Sequence, residues 1–239
     1  MALKLMYITD KPEVAQIAET AGVDRIFVDL EYIGKADRQG GMDTVQSRHT
    51  LDDLKRISDA ITTAELLVRV NPIHDATDEY VSSEEEISTA IDNGADIVML
   101  PFFKSVDEVK RFLSDVNKRA KTMLLLETPE AVEIVDDLLC LEGIDSIHIG
   151  LNDLSLGYGM KFMFELLANG TVEKLCKKFE AKGIPYGFGG IAALGKGMLP
   201  AERIIAEHYR LGSTCAILSR SFCNINIVND MSEVKKIFD

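Results

Sequence analysis

The sequence lacks the features that mark secreted or membrane-bound proteins. No apolar run approaches the length of a membrane span, and the N-terminus lacks the basic, apolar and small-residue succession of a signal peptide. The four cysteines show no CxxC spacing, and Cys140, Cys176 and Cys215 fall in apolar segments. We therefore expect a cytoplasmic protein with reduced thiols in its core and no membrane contact.

Positive charge is scarce. Lys and Arg together number 26 against 39 Asp and Glu, which gives a formal net charge of −13. This balance argues against nucleic acid or an anionic membrane surface as the main partner. A small anionic substrate remains compatible with it, because such a substrate needs only one local arginine.

A dinucleotide fingerprint is also missing, since no GxGxxG follows the first predicted strand. Instead, apolar strands alternate with helical patterns along the chain, which predicts one (β/α)8 TIM barrel domain over residues 1–239. An open doubly wound sheet is the alternative. The predicted strands are Leu3–Thr9, Asp24–Leu30, Glu65–Val70, Asp96–Pro101, Met123–Leu126, Ile147–Leu151, Tyr186–Gly189 and Ala216–Ser219.

Residues 32–49 interrupt this alternation as an inserted loop, rich in glycine and charge and without apolar periodicity. Long irregular loops in compact domains are usually functional or disordered. Because this one follows the second strand, we interpret it as a lid or interface loop, with plain disorder as the alternative.

Two helix starts and three histidines have simple structural interpretations. Thr50 is predicted to cap the helix Leu51–Ile61, and Ser83 with Glu86 to form a capping box for the next helix. Among the histidines, His148 is predicted to pack within a strand. We place His74 in a loop and His208 on a helix surface.

Two carboxylates, Glu127 and Asp153, follow the fifth and sixth predicted strands. In a barrel of parallel strands they meet at the C-terminal face, where the chemistry of such barrels takes place. Two acidic oxygen ligands with open positions for water and substrate suit a divalent ion such as Mg²⁺. The alternative is that each carboxylate only caps the helix that follows it.

Other polar residues end strands on the same face: Asp29, Glu31, Arg69 and Asn152. Arg69 could form a buried ion pair with Asp29 or Glu31. It could instead present its planar donors to a carboxylate or a developing enolate. A metal and a cation facing one small oxyanion are what enolate stabilisation requires.

Five segments carry a resemblance to a known family. They are VDLE (28–31), LLVRVNP (66–72), VMLP (98–101), LLLETPEA (124–131) and IGLNDLS (149–155). In this order they resemble the HpcH/HpaI aldolase and citrate lyase β family, which belongs to the phosphoenolpyruvate/pyruvate-type barrels.

The resemblance implies an aldolase with a divalent metal, Mg²⁺ first and Mn²⁺ second, held by Glu127 and Asp153. That metal would bind a 2-oxo acid, and Arg69 would stabilise its pyruvate-type enolate while a carbon–carbon bond to an aldehyde forms or breaks. Arg69, Glu31 and Asn152 are then the candidate substrate-binding residues. The resemblance also implies a homo-oligomer, commonly built on dimers that exchange a C-terminal helix, here Met231–Phe238.

The chain departs from the family pattern in two places. The family usually has a histidine base directly after the glutamate of strand two, where this chain has Tyr32. If the insertion separates the pair, the catalytic histidine is His49; otherwise His49 is a surface residue beside a helix cap. Metal-bound water or a neighbouring subunit could then supply the base, or aldol activity could be lost. Leu125 replaces a common glutamine, which predicts a less polar substrate contact.

Three alternatives remain open at the level of sequence. A lyase acting on a CoA thioester is one, although DLEY departs from the DLED pattern of that branch. A barrel that only binds metal or ligand is the second. Finally, the glycine-rich segment 187–197 could bind phosphate or form a rim loop, and it lacks the Walker spacing.

Overall fold

The strands close into a barrel in chain order. The computed structural model describes residues 2–34, 49–225, 227–228 and 230–238, so most of the predicted insertion lies outside the described residues. All eight strand pairs are parallel, and the last strand pairs with the first. The predicted TIM barrel is confirmed, and the open sheet is wrong. The strands are β1 (Lys4–Ile8), β2 (Arg25–Asp29), β3 (Glu65–Arg69), β4 (Ile97–Leu100), β5 (Lys121–Leu126), β6 (Ser146–Ile149), β7 (Tyr186–Ile191) and β8 (Cys215–Leu218).

Helices surround the barrel. In the described ranges none is long and apolar enough to cross a membrane. Their bounds are α1 (Pro12–Thr20), α2 (Leu51–Ala60), α3 (Ser83–Asp92), α4 (Val106–Val116), α5 (Pro129–Glu133), α6 (Val135–Leu138), α7 (Leu151–Gly157), α8 (Glu165–Ala168), α9 (Thr171–Lys182), α10 (Ala201–Arg210) and α11 (Met231–Phe238).

The apolar strands supply two cores. A small cluster that includes Phe27, Leu67, Met99 and Met123 fills the barrel interior, and a larger one lies between the strands and the helices. Strands buried on both faces therefore read as continuous apolar runs, as expected for a parallel sheet covered by helices.

Three Gly-x-Asp repeats fix the N-terminal ends of the strands. Gly22, Gly94 and Gly143 have positive φ and turn the chain from a helix into the next strand. The side chain of the aspartate two residues later accepts the backbone N–H of the second residue of the preceding strand, at 2.8 Å in each case. The pairs are Asp24 with Leu5, Asp96 with Leu66 and Asp145 with Thr122.

The predicted cap of α2 is confirmed, while that of α3 is wrong by one residue. Thr50 and Asp53 form a capping box at α2. At α3 the cap is Ser82, whose side chain accepts the N–H of Glu85. Glu86 is buried and binds Asn71 instead.

Some predicted elements are shorter than expected. The apolar run Ile147–Leu151 ends as a strand at Ile149, and Asp153 lies in the first turn of α7. The helical segment that follows β5 consists of two short helices, α5 and α6. These differences move no predicted site residue away from the C-terminal face.

Two predictions of burial are wrong. His208 is fully buried rather than on a helix surface, and its ring stacks on Phe188 at a centroid distance of 3.9 Å. Cys140 is exposed rather than in the core, although Cys176, Cys215 and Cys223 are buried.

The terminal helix α11 packs against α1 of its own chain. The ring of Phe238 contacts those of Tyr7 and Phe222, with centroids 4.9 and 5.2 Å apart. Exchange of this helix between subunits, and the oligomer itself, stay predictions.

Candidate active site

Arg69 is held in a fixed plane by a carboxylate on the adjacent strand. Arg69 ends β3, Asp29 ends β2, and the two are opposite each other in register. The guanidinium donates from Nε to Asp29 Oδ1 at 2.8 Å and from Nη2 to Oδ2 at 2.7 Å. Glu31 Oε2 lies 3.4 Å from the same Nε. The predicted buried ion pair is therefore present.

The positive charge of Arg69 is fixed. Burial disfavours the charged form of Arg69, but the carboxylates of Asp29 and Glu31 outweigh it and raise the pKa above its ordinary value. Arg69 therefore remains a cation throughout the pH range in which the protein would work. Because the bidentate pair uses Nε and Nη2, Nη1 takes no part in it.

His49 lies beside this pair. It is only 7% exposed, so the alternative of a surface histidine is wrong. Its Nδ1 accepts the backbone N–H of Asp29 at 3.1 Å, which in the neutral ring leaves the proton on Nε2. His49 can therefore act as the predicted base at Nδ1 only after this hydrogen bond to Asp29 breaks.

Glu127 is positioned by two neighbours that carry no charge. Its Oε1 accepts the backbone N–H of Phe102 at 3.1 Å, and Phe102 has a left-handed φ of 49°. On the other side, Gly150 leaves room for the carboxylate. A Cβ at Gly150 would lie 2.7 Å from Glu127 Cβ and 2.8 Å from Oε2.

The capping interpretation of the two carboxylates does not hold. The cap of α5 is Thr128, whose Oγ1 accepts the N–H of Ala131 at 3.1 Å. Asp153 lies inside α7, where its Oδ1 accepts from Asn152 Nδ2 at 3.2 Å.

Most of the predicted site residues meet at one small cavity at the mouth of the barrel. This cavity, of about 230 Å³, is lined by Arg69, Glu127, Asn152 and Asp153. Leu125 also lines it, so the replacement of the usual glutamine does make this wall apolar. The wall of this small cavity therefore combines two carboxylates, a cation and an amide.

A larger cavity of about 520 Å³ adjoins it and shares Arg69 and Asn152. His49 and Asp29 line the larger cavity only, and much of its remaining wall is apolar. Glu31 is buried against Arg69 and lines neither cavity as the described residues delimit them. Its expected contact with substrate stays a prediction.

Some parts of the site had no signal in the sequence. The strained backbone of Phe102 follows no local pattern, because phenylalanine rarely adopts a positive φ. Gly150 did carry a signal, since a glycine between a strand and a helix often marks a close approach.

His148 lines the small cavity but packs as predicted. Its Nε2 lies 3.1 Å from Gly189 O, and burial lowers its pKa to about 4.

Glu127 and Asp153 are the candidate metal ligands. Within the described part of the chain, no group of three or more His, Cys, Asp or Glu residues could hold a metal ion. A metal at this site would therefore have two protein carboxylates and open positions for other ligands.

Residues 4–166 match the model of the HpcH/HpaI aldolase/citrate lyase family. The chain belongs to this family. Its membership makes the protein a lyase of the aldolase type acting on small molecules, and the family generally depends on a divalent metal.

Solved structures show the same fold at low sequence identity. An HpcH/HpaI aldolase from Desulfitobacterium hafniense DCB-2 is 17% identical with a TM-score of 0.68, and the match covers 91% of this chain and 86% of that one. The citrate synthase SbnG is 16% identical with a TM-score of 0.65, covering 98% and 94%. Macrophomate synthase is 17% identical with a TM-score of 0.62, covering 91% and 77%. No curated protein matches the sequence.

Proposed function

We propose that the protein is a divalent-metal-dependent carbon–carbon lyase that acts on a 2-oxo acid through a pyruvate-type enolate, with an aldehyde as the second substrate. The observation that carries this proposal is the small cavity that Glu127, Asp153 and Arg69 line together. Enolate chemistry needs both kinds of group, because negative charge develops on an oxygen that a metal and a cation can share.

The donor set fits Mg²⁺, with Mn²⁺ as the second choice. Carboxylate oxygens are the preferred ligands of these hard ions, and two of them leave positions for water and substrate oxygens. The space at Gly150 and the N–H of Phe102 fix the Glu127 carboxylate at the cavity wall. When bound, the ion would supply Lewis-acid stabilisation of the enolate oxygen.

Arg69 is the residue we assign to the enolate. Its plane is fixed by the bidentate bonds to Asp29, so no reorganisation of the guanidinium is needed when charge develops. Asn152 lines both cavities and offers an amide to the substrate carboxylate.

The larger cavity has room for the aldehyde. It opens beside Arg69, and His49 on its wall is the residue we assign to proton transfer at the aldehyde-derived oxygen. Because Nδ1 of His49 accepts the N–H of Asp29, this hydrogen bond must break before Nδ1 can take up a proton.

The first test is proton exchange at the methyl group of pyruvate in deuterium oxide, followed by NMR. We expect the methyl signal to disappear with Mg²⁺ and to persist when chelator is present throughout. With Mn²⁺, which broadens nearby signals, the ion is chelated after the reaction and before the spectrum is recorded, and the signal should again be lost. Glu127→Gln and Asp153→Asn should abolish the exchange because each removes a ligand. Exchange that continues in chelator, or in both variants, would contradict the metal site. No exchange with either metal would instead favour a thioester substrate or a non-catalytic barrel.

Replacing Arg69 tests the second half of the site. Arg69→Lys should slow pyruvate exchange by roughly 100-fold, the typical cost of losing one oxyanion donor, because lysine cannot both pair with Asp29 bidentately and face the substrate. Binding of Mn²⁺, followed by calorimetry, should change little.

The matched control is Arg119→Lys, at an exposed arginine whose Nη1 donates to Ser88. An exchange rate in Arg69→Lys equal to that of the control would leave Arg69 with a structural role only.

A further inference from the structure

Tyr32, which replaces the histidine usual in the family, holds the main chain of His49. Its phenolic O–H donates to the backbone carbonyl of His49. The histidine is thereby held from two directions, since its ring accepts the N–H of Asp29 and its carbonyl accepts the hydroxyl of Tyr32.

The backbone of Tyr32 is held in turn by Asn71. The amide oxygen of Asn71 accepts the N–H of Tyr32 at 2.8 Å and that of Ile33 at 2.9 Å. Asn71 follows Arg69 by two residues, so the chain leaving β3 fixes the chain leaving β2. Both segments carry residues of the candidate active site.

Glu86 fixes the orientation of Asn71. The side-chain Nδ2 of Asn71 donates to Glu86 Oε1 at 2.8 Å, and the backbone N–H of Asn71 donates to the same carboxylate at 3.2 Å. The amide of Asn71 thus donates on one side and accepts on the other, and a flipped amide would oppose both partners. Asn71 and Glu86 are both buried, with exposed fractions of 5% and 9%, so a lost bond there leaves a buried group unsatisfied.

We propose that Tyr32, Asn71 and Glu86 are positioning residues that place His49 against Asp29 and Arg69. The bonds run from α3 through the end of β3 to the end of β2 and from there to His49. Tyr32 therefore does not replace the missing histidine chemically. It places His49, which lies later in the sequence, at the site.

The consequence for activity rests on the proposed function, whereas the consequence for the position of His49 does not. A displacement of about 1 Å in a catalytic group can cost on the order of 100-fold in rate. Binding of the 2-oxo acid depends instead on Arg69 and on the metal held by Glu127 and Asp153. We therefore expect substitutions of the positioning residues to lower kcat and to leave KM unchanged.

The test compares Tyr32→Phe with Tyr186→Phe. Each substitution removes one hydroxyl that donates to a backbone carbonyl, and Tyr186 donates to Leu211 at 2.6 Å at the opposite end of the barrel. Activity is measured as aldol cleavage, because His49 is assigned to the aldehyde-derived oxygen and pyruvate exchange involves no aldehyde. Ring signals of the four histidines are followed by NMR and assigned by His→Gln substitution.

In Tyr32→Phe we expect kcat to fall by roughly 10- to 100-fold with KM and Mn²⁺ affinity unchanged, and the His49 ring signal to move. Tyr186→Phe should leave kcat and the His49 signal as in the parent protein. Glu86→Leu, which removes both oxygens that accept from Asn71, should reproduce the effects of Tyr32→Phe and serves as the second variant if that protein does not fold.

A His49 signal that stays unmoved in both Tyr32→Phe and Glu86→Leu would overturn the proposal. So would a kcat in both variants equal to that of Tyr186→Phe. If the parent protein shows neither exchange nor cleavage, the proposed function fails, and the His49 signal alone then decides whether these residues position the histidine.

Discussion

At the scale of single residues, Gly150 has the most direct effect on the candidate metal site. Its φ of −80° is open to any residue, so only the space beside Glu127 requires glycine. The methyl group of Gly150→Ala would collide with both the Cβ and Oε2 of Glu127 and displace the carboxylate. We expect the affinity for Mn²⁺ to fall by roughly 10- to 100-fold, the usual effect of disturbing the support of a metal ligand.

Calorimetric titration with Mn²⁺ measures this change, and urea unfolding of the metal-free protein checks that the barrel is intact. An affinity equal to that of the parent protein, in a folded variant, would mean that Glu127 does not hold the ion.

At the scale of elements, local pattern predicted most helices and strands and failed where a distant contact decided the outcome. The bounds of α11 agree with those expected from the sequence, Met231–Phe238. At the start of α3, Ser82 with Glu85 and Ser83 with Glu86 both fit the spacing of a capping box. The structure uses the first serine, because Glu86 binds Asn71 at the end of the preceding strand.

Of the candidate site, the residues that end strands could be predicted from the sequence, and the contacts that support them could not. Residues that end strands, such as Arg69 and Glu127, could be brought together because parallel strands in a barrel end on one face. The hydrogen bonds that hold these residues could not be predicted, since the N–H of Phe102 and the carboxylate of Glu86 come from residues without a local signature. The place of His49 could only be inferred from the family resemblance, because an insertion separates it from β2.

At the scale of the whole molecule, two buried histidines make stability depend on pH. Burial lowers the pKa of His148 to about 4 and that of His208 to about 3, from an ordinary value of 6.5. Between the folded pKa of each histidine and its ordinary value of 6.5, the unfolded chain binds more protons than the folded one. The free energy of unfolding therefore rises with pH in this range, and it is lost as the pH falls below about 6.5. Glu19, with its pKa lowered to about 2 from 4.5, adds a loss only below about pH 4.5.

We therefore expect the free energy of unfolding in urea to decrease steadily between pH 6.5 and 4.5. His208→Gln should flatten this slope, because glutamine does not titrate. A slope in His208→Gln equal to that of the parent protein would show that His208 contributes nothing to it.

The pair of Asp29 and Arg69 also constrains how the family can change over evolutionary time. The two residues face each other on neighbouring strands and share a buried bidentate contact. A change at one position alone would remove the bidentate contact and leave the other charge buried with weaker compensation, at a cost of up to about 3–5 kcal/mol. Few lineages could pass through such an intermediate and keep a stable barrel. Among relatives, these two positions should therefore have changed together or not at all.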